Sequence, residues 1–181
     1  MRDLSAARRL PLVSASTAVH ALPPATRYVL RGGADARAAA GSALGLAIPA
    51  TACRATVGAD RAALWLGPDE WLLIAPETPP PGFGAALAEA LGPVPHSLVD
   101  VSHRQSGLVA SGPQAATLLA AGCPLDLDAS AFPVGMCTRT MLAKAEVVLW
   151  RTEPQVFRVE VWRSFVAYVA QFLGEAARGA I

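Results

Sequence analysis

The chain has 181 residues, a formal charge of +1 and 53% hydrophobic residues, enough to bury roughly 70% of its unfolded surface in a core that needs no disulfide or metal. Its arginines are scattered, so it offers no electrostatic footprint for nucleic acid, and no run approaches the ~20 apolar residues of a membrane span. Cys53, Cys123 and Cys137 are odd in number and lack metal-ligand spacing, which is the usage of reduced, buried thiols in a cytoplasmic protein.

Residues 1–25 read as an irregular arm ending in Pro23-Pro24. Arg8-Arg9 ahead of Leu10 to Leu22 imitate a secretory leader, but Pro11, Ser14, Ser16, Thr17 and His20 interrupt the apolar run. A strand is expected at Arg27 to Arg31 and a helix at Ala34 to Ala43, whose alanines give it a thin apolar face. Leu64 to Ile74 reads as a hairpin, with Pro68 supplying the fixed φ that the second turn position favours. Pro79-Pro80-Pro81-Gly82 breaks the chain before a helix carrying Phe83, Leu87 and Leu91. Gly92-Pro93-Val94-Pro95 then begins a link.

Beyond the link, Leu98 to Val101 and Gly107 to Ala110 read as strands, and Pro113 opens a helix over Gln114 to Ala121. Further strands are expected at Cys137 to Leu142, Glu146 to Arg151 and Val156 to Trp162. In the last, Phe157, Val159 and Val161 face a core while Arg158 and Glu160 face water. Ser164 is a candidate N-cap for a final helix with a stripe of Phe165, Tyr168, Val169, Phe172 and Leu173.

The two halves repeat one pattern, from Tyr28 and again from Gly107, each with a cysteine-centred segment at Cys53 or Cys137 that is expected to be buried. A period of roughly 80 residues exceeds the solenoid and propeller repeats. The expectation is one α+β domain over residues 26–181, duplicated as half-domains of about 26–95 and 96–181. Each half runs strand, helix, three strands, helix, with mostly antiparallel sheets.

Asp100, Ser102, His103 and Arg104 gather an acid, a hydroxyl, an imidazole and a guanidinium after a strand. Such groups suit a ligand corner, and equally a turn in which Asp100 or Ser102 bonds the local backbone. Arg139 and Arg163 suit a carboxylate clamp or ordinary ion pairs. Asp100, Ser102 and His103 stand too close in sequence to converge as a triad, and G-x-S-x-G, G-x-G-x-x-G and the Walker lysine do not occur. Trp65, Trp71, Trp150 and Trp162 fall on expected strands, where they pack in a core or an interface. With no catalytic residue and no metal ligand assigned, the pattern points to a subunit or binding module.

Several segments together resemble the gamma subunit family of heterotetrameric sarcosine oxidase, a relative of the folate-binding domain of the glycine-cleavage aminomethyltransferase, or T-protein. They are Leu66-Gly67-Pro68-Asp69-Glu70-Trp71-Leu72, Val99-Asp100-Val101-Ser102-His103-Arg104, Ser111-Gly112-Pro113, Gly122-Cys123-Pro124-Leu125-Asp126-Leu127, Cys137-Thr138-Arg139-Thr140 and Arg163-Ser164-Phe165. The resemblance implies a duplicated, folate-binding-domain-like fold. It also implies a complex that oxidises sarcosine to glycine in one-carbon metabolism. Its alpha, beta and delta subunits would carry flavin, NAD and tetrahydrofolate, while this chain binds no cofactor alone and serves assembly. Where the T-protein pattern has an Asp-rich loop, this chain runs Met141-Leu142-Ala143-Lys144-Ala145-Glu146, so folate chemistry does not carry over by residue. Alternative readings are a stand-alone folate or pterin module and a folate-dependent aminomethyltransferase-like protein.

Overall fold

The computed structural model describes residues 17–76 and 83–179. The Pro79 to Gly82 break and the leader-like stretch through Ser16 lie outside the described residues. The chain divides into two compact units, Ala25–His103 and, with Arg104–Ile181, Met1–Pro24.

In the first unit, five antiparallel strands take the order β3-β4-β5-β2-β6. They are β2 (Ala25–Gly32), β3 (Ala55–Val57), β4 (Ala62–Gly67), β5 (Glu70–Pro76) and β6 (His96–Asp100), with helices α1 (Ala34–Leu44) and α2 (Phe83–Leu91). The thin face of α1 has a packing use. A Cβ on Gly32 would lie 2.6 Å from the Cβ of Ala36, so small residues at both positions let the helix lie close to the strand. Gly45, at φ 60°, ends α1 in the left-handed conformation that glycine adopts without a Cβ penalty. Leu30, Ala36, Ala40, Trp71, Leu73, Leu87 and Leu91 form the core.

The second unit has the order β1-β7-β10-β9-β8. Its strands are β1 (Ala18–Ala21), β7 (Gln105–Ser111), β8 (Cys137–Leu142), β9 (Ala145–Glu153) and β10 (Val156–Trp162). Helix α3 (Ala115–Ala120), a 3-10 turn (Arg163–Phe165) and helix α4 (Val166–Gly179) complete it. Leu108, Leu119, Leu149, Phe157, Val159, Val161, Val169 and Leu173 are among its core residues.

Read from β3 and from β8, the two sheets have one strand order, in which β2 to β5 correspond to β7 to β10. Each half therefore contains the expected strand, helix, three strands and helix, in antiparallel sheets.

Several expectations are corrected. The stretch read as an irregular arm contains β1, which pairs Val19 with Ala110 and buries that valine. A four-residue strand is invisible locally because its partner lies far along the chain. The boundary between halves falls after His103 rather than Pro95, because β6 pairs with β2, Val99 opposite Val29. Thus the strand before each half's first strand joins the other half's sheet. Helix α3 starts at Ala115, leaving Pro113 ahead of its N-cap position. Ser164 lies inside the 3-10 turn and does not cap α4. Phe165 and Tyr168 are exposed rather than part of the core stripe. Glu160 is only 1% exposed and accepts a 2.7 Å bond from Arg158 Nε, since the second face of this sheet also buries Val148 and Trp150. Cys123 and Cys137 are buried, whereas Cys53 is half-buried at φ 56°.

Candidate functional site

The corner after β6 divides between the two units. Asp100, Ser102 and His103 close the first unit, and Arg104 opens the second. Asp100 Oδ1 accepts the Ser102 N–H at 2.8 Å. Ser102 Oγ in turn accepts the Arg27 N–H at 2.9 Å, and the Val101 N–H donates to the Arg27 carbonyl at 2.9 Å. The corner thereby fastens the end of β6 to β2, as a short polar side chain does when it bonds local backbone.

Its charges follow from these bonds. The Ser102 hydrogen bonds, with a smaller contribution from the His103 charge, hold the Asp100 carboxyl below the usual aspartate range. Tyr28, paired with Asp100 across the strands, has its phenol pushed up by burial and then by the Asp100 charge. Asp100 and His103 are exposed.

Arg104 and Arg163 come together in the second unit. The Arg163 N–H donates to the Arg104 carbonyl at 2.8 Å, continuing the register in which Trp162 opposes Gln105. The Arg104 guanidinium lies 5.1 Å from the centroid of the Trp162 ring, a cation–π distance. Arg139 is not brought to them. It stands on β8, the opposite edge strand from β1, with its Nε 3.7 Å from Glu146 Oε1 on β9.

Two buried arginines escaped the sequence reading. Arg27, 1% exposed, donates from Nη1 to the Ala25 carbonyl at 2.9 Å. Arg151 clamps the chain around it: Nη1 donates to the Leu127 and Phe132 carbonyls at 3.2 and 2.8 Å. Its Nη2 reaches the Pro154 carbonyl at 2.6 Å, and the guanidinium lies 4.8 Å from the Phe157 ring centroid. The acceptors in these bonds are backbone atoms, which carry no residue signature, so the bonds leave no mark in the sequence.

The strands expected at Cys137 to Leu142 and Glu146 to Arg151 are joined by the two-residue turn Ala143-Lys144, since β8 ends at Leu142 and β9 begins one residue early, at Ala145. Ala143 takes φ 52°, and the Lys144 N–H donates to Tyr168 Oη at 3.3 Å. Such a turn has no room for an acidic loop. Beside α1 an open hollow of about 410 Å³ has Arg37 and Ser42 as its polar side chains, and Arg37 Nη1 is 3.5 Å from the Ile48 carbonyl. Among the described residues no group of three or more His, Cys, Asp or Glu side chains could hold a metal ion. No helix among them is long and apolar enough to cross a membrane.

Residues 31–179 match the model of the sarcosine oxidase, gamma subunit family. The chain is 39% identical over 145 residues to sarcosine oxidase subunit gamma of an Arthrobacter species, covering 80% of this chain and 70% of that protein. It is 42% identical over 115 residues to the same subunit of Corynebacterium sp. strain P-1, covering 64% and 56%. Among solved structures, a chain of heterotetrameric sarcosine oxidase from Corynebacterium sp. U-96, in complex with pyrrole 2-carboxylate, matches with TM-score 0.84 and 34% identity, covering 90% of this chain and 84% of that one. Glycine cleavage system aminomethyltransferase T from Bartonella henselae matches with TM-score 0.67 at 13% identity, covering 89% and 46%. That second likeness is one of fold.

Proposed function

The chain belongs to the sarcosine oxidase gamma subunit family, and from that premise we propose that it is the gamma subunit of a heterotetrameric sarcosine oxidase, contributing surface to the assembly and no catalytic group of its own. The observation that carries this reading is the correspondence of nearly the whole chain to one chain of a heterotetrameric sarcosine oxidase, at TM-score 0.84. Its partners are the other subunits, of alpha, beta and delta type. Flavin, NAD and tetrahydrofolate sit on those partners, and the complex works in the cytoplasm.

The candidate residues divide accordingly. Asp100 and Ser102 close a sheet, with His103 beside them; Arg139 is paired with Glu146, while Arg104 and Arg163 are exposed cations available to a partner surface. Exposed side chains of this kind tune encounter and register between subunits.

An affinity-tagged copy expressed in its native cells tests the reading. The expected eluate is a yellow complex with larger chains that releases peroxide when sarcosine is added. A colourless, single-component eluate from cells shown to make the oxidase would overturn it. Tetrahydrofolate binding by that lone chain would instead favour the folate or pterin module.

A further inference from the structure

We propose that the open edge of β6 pairs with β6 of a second copy of this chain, antiparallel and about a two-fold axis at Leu98. The proposal goes beyond the gamma-subunit reading and does not rest on it. In a complex that holds one copy of the chain, the contact joins two complexes.

Strand β6 stands at one side of the first sheet and pairs only with β2. The bond from the Val101 N–H to the Arg27 carbonyl sets the phase of that ladder, because opposed residues in an antiparallel pair alternate between bonded and unbonded. Ser97 and Val99 therefore turn their N–H and C=O groups toward β2, while His96, Leu98 and Asp100 turn theirs outward. An outward row of main-chain donors and acceptors is a template for another strand. The strand keeps apolar surface open as well, with Val99 50% exposed.

The sequence of β6 names the occupant. Laid antiparallel on itself about Leu98, His96-Ser97-Leu98-Val99-Asp100 sets His96 opposite Asp100, Ser97 opposite Val99 and Leu98 opposite Leu98. Outward residues then oppose outward residues throughout, so each outward N–H meets a C=O. Both ends bring an imidazole to a carboxylate, twice by symmetry. His96 Nδ1 lies 2.7 Å from the Val94 carbonyl, so a protonated ring has its Nε2–H left for the Asp100 carboxylate of the second copy. A register centred on Asp100 would shorten the pairing and set carboxylate against carboxylate.

The other edge strands lack this match. Strands β1 and β3 have only four and three residues. Strand β8 turns Cys137, Arg139 and Met141 outward, since its ladder to β9 includes the bond from the Arg151 N–H to the Met136 carbonyl. Paired with itself about the centre of that row, it would oppose Arg139 with Arg139, and like charges directly opposite destabilise a strand pair.

Light scattering on the full chain, from micromolar to millimolar concentration, should give the mass of two chains at the upper end. His96→Asp changes an exposed side chain and sets acid against acid at both ends, so it should raise the dissociation constant about tenfold or more. Register is read separately. Ser97→Cys combined with Val99→Cys opposes the two cysteines across the axis at unbonded positions, with Cα atoms about 4.5 Å apart and within disulfide reach. Mild oxidation should then give a covalent dimer, which Ser97→Cys alone does not form, its sulfurs lying on a diagonal. A wild-type chain that stays monomeric would overturn the proposal, as would a dimer insensitive to His96→Asp or untrapped by the cysteine pair. Protection of the β6 amides from hydrogen exchange only when larger subunits are present would give the edge to a partner's strand and remove the second copy. None of these results touches the gamma-subunit reading, which stands or falls on co-purification.

Discussion

Arg151 donates its hydrogen bonds to backbone carbonyls, those of Leu127, Phe132 and Pro154. A lysine keeps the charge but lacks the planar fork that reaches several acceptors at once. Arg151→Lys should therefore cost about 2–3 kcal/mol, measured by urea unfolding, as buried acceptors lose their donors. Asp100 makes a prediction with a sign. Its carboxyl is held below the ordinary range, so its charge stabilises the fold above the unfolded aspartate value of about 3.9. That contribution is lost as pH falls through the lower folded value. Asparagine keeps an acceptor for the Ser102 N–H without the charge. The stability gap between wild type and Asp100→Asn should be constant near neutrality and close in acid; a gap that persists to about pH 2 would remove the charge from the account. The residue types at this corner were legible in the sequence. Their assignment to closing a sheet was not, because the partner backbone is that of Arg27, 75 residues away.

At the scale of elements, the periodicities marked the strands and helices well because each reflects a local pattern of burial. Ends and faces were harder to read. Ser164 had the chemistry of an N-cap, but the 3-10 turn placed it inside the first turn. The alternation along β10 correctly separated two faces, yet Glu160 is buried, since alternation distinguishes faces without saying what covers them. The β8–β9 hairpin places Ala143 at φ 52°, where a Cβ is costly. Ala143→Gly should raise stability by about 0.5–1 kcal/mol, the larger entropy of unfolded glycine offsetting part of the relief. The neighbouring Gly122 has the opposite constraint. An added Cβ there would lie 2.6 Å from Phe172 Cε1 and 2.9 Å from the Ala143 nitrogen. Gly122→Ala should lose about 1–3 kcal/mol in thermal or chemical unfolding, as overpacking does.

Across the whole molecule, the duplication read from sequence reappears as two sheets of one strand order. Each sheet takes its outermost strand beside β2 or β7 from the segment leading into the other half. Strand β1 should therefore contribute to stability although it stands near the chain's start. Removing residues 1–24 takes away the buried Val19 and the bond from the Leu22 N–H to the Gly107 carbonyl. It also bares the edge of β7. The expected result is a loss of about 2–4 kcal/mol and concentration-dependent association through the exposed edge. Unchanged melting of the shortened chain would show that β1 adds nothing.

The sequence by itself determined the α+β class, the duplicated order of elements and the family, because these rest on local periodicity, breaker residues and ordered motifs that survive without knowledge of neighbours. Only the tertiary structure decided that β1 and β6 exchange sheets, that Arg27, Arg151 and Glu160 are buried, and that Phe165 and Tyr168 stay exposed. Those outcomes depend on which distant segments meet. Backbone carbonyls and strand edges supply the contacts, and they are chemically the same at every position in the chain.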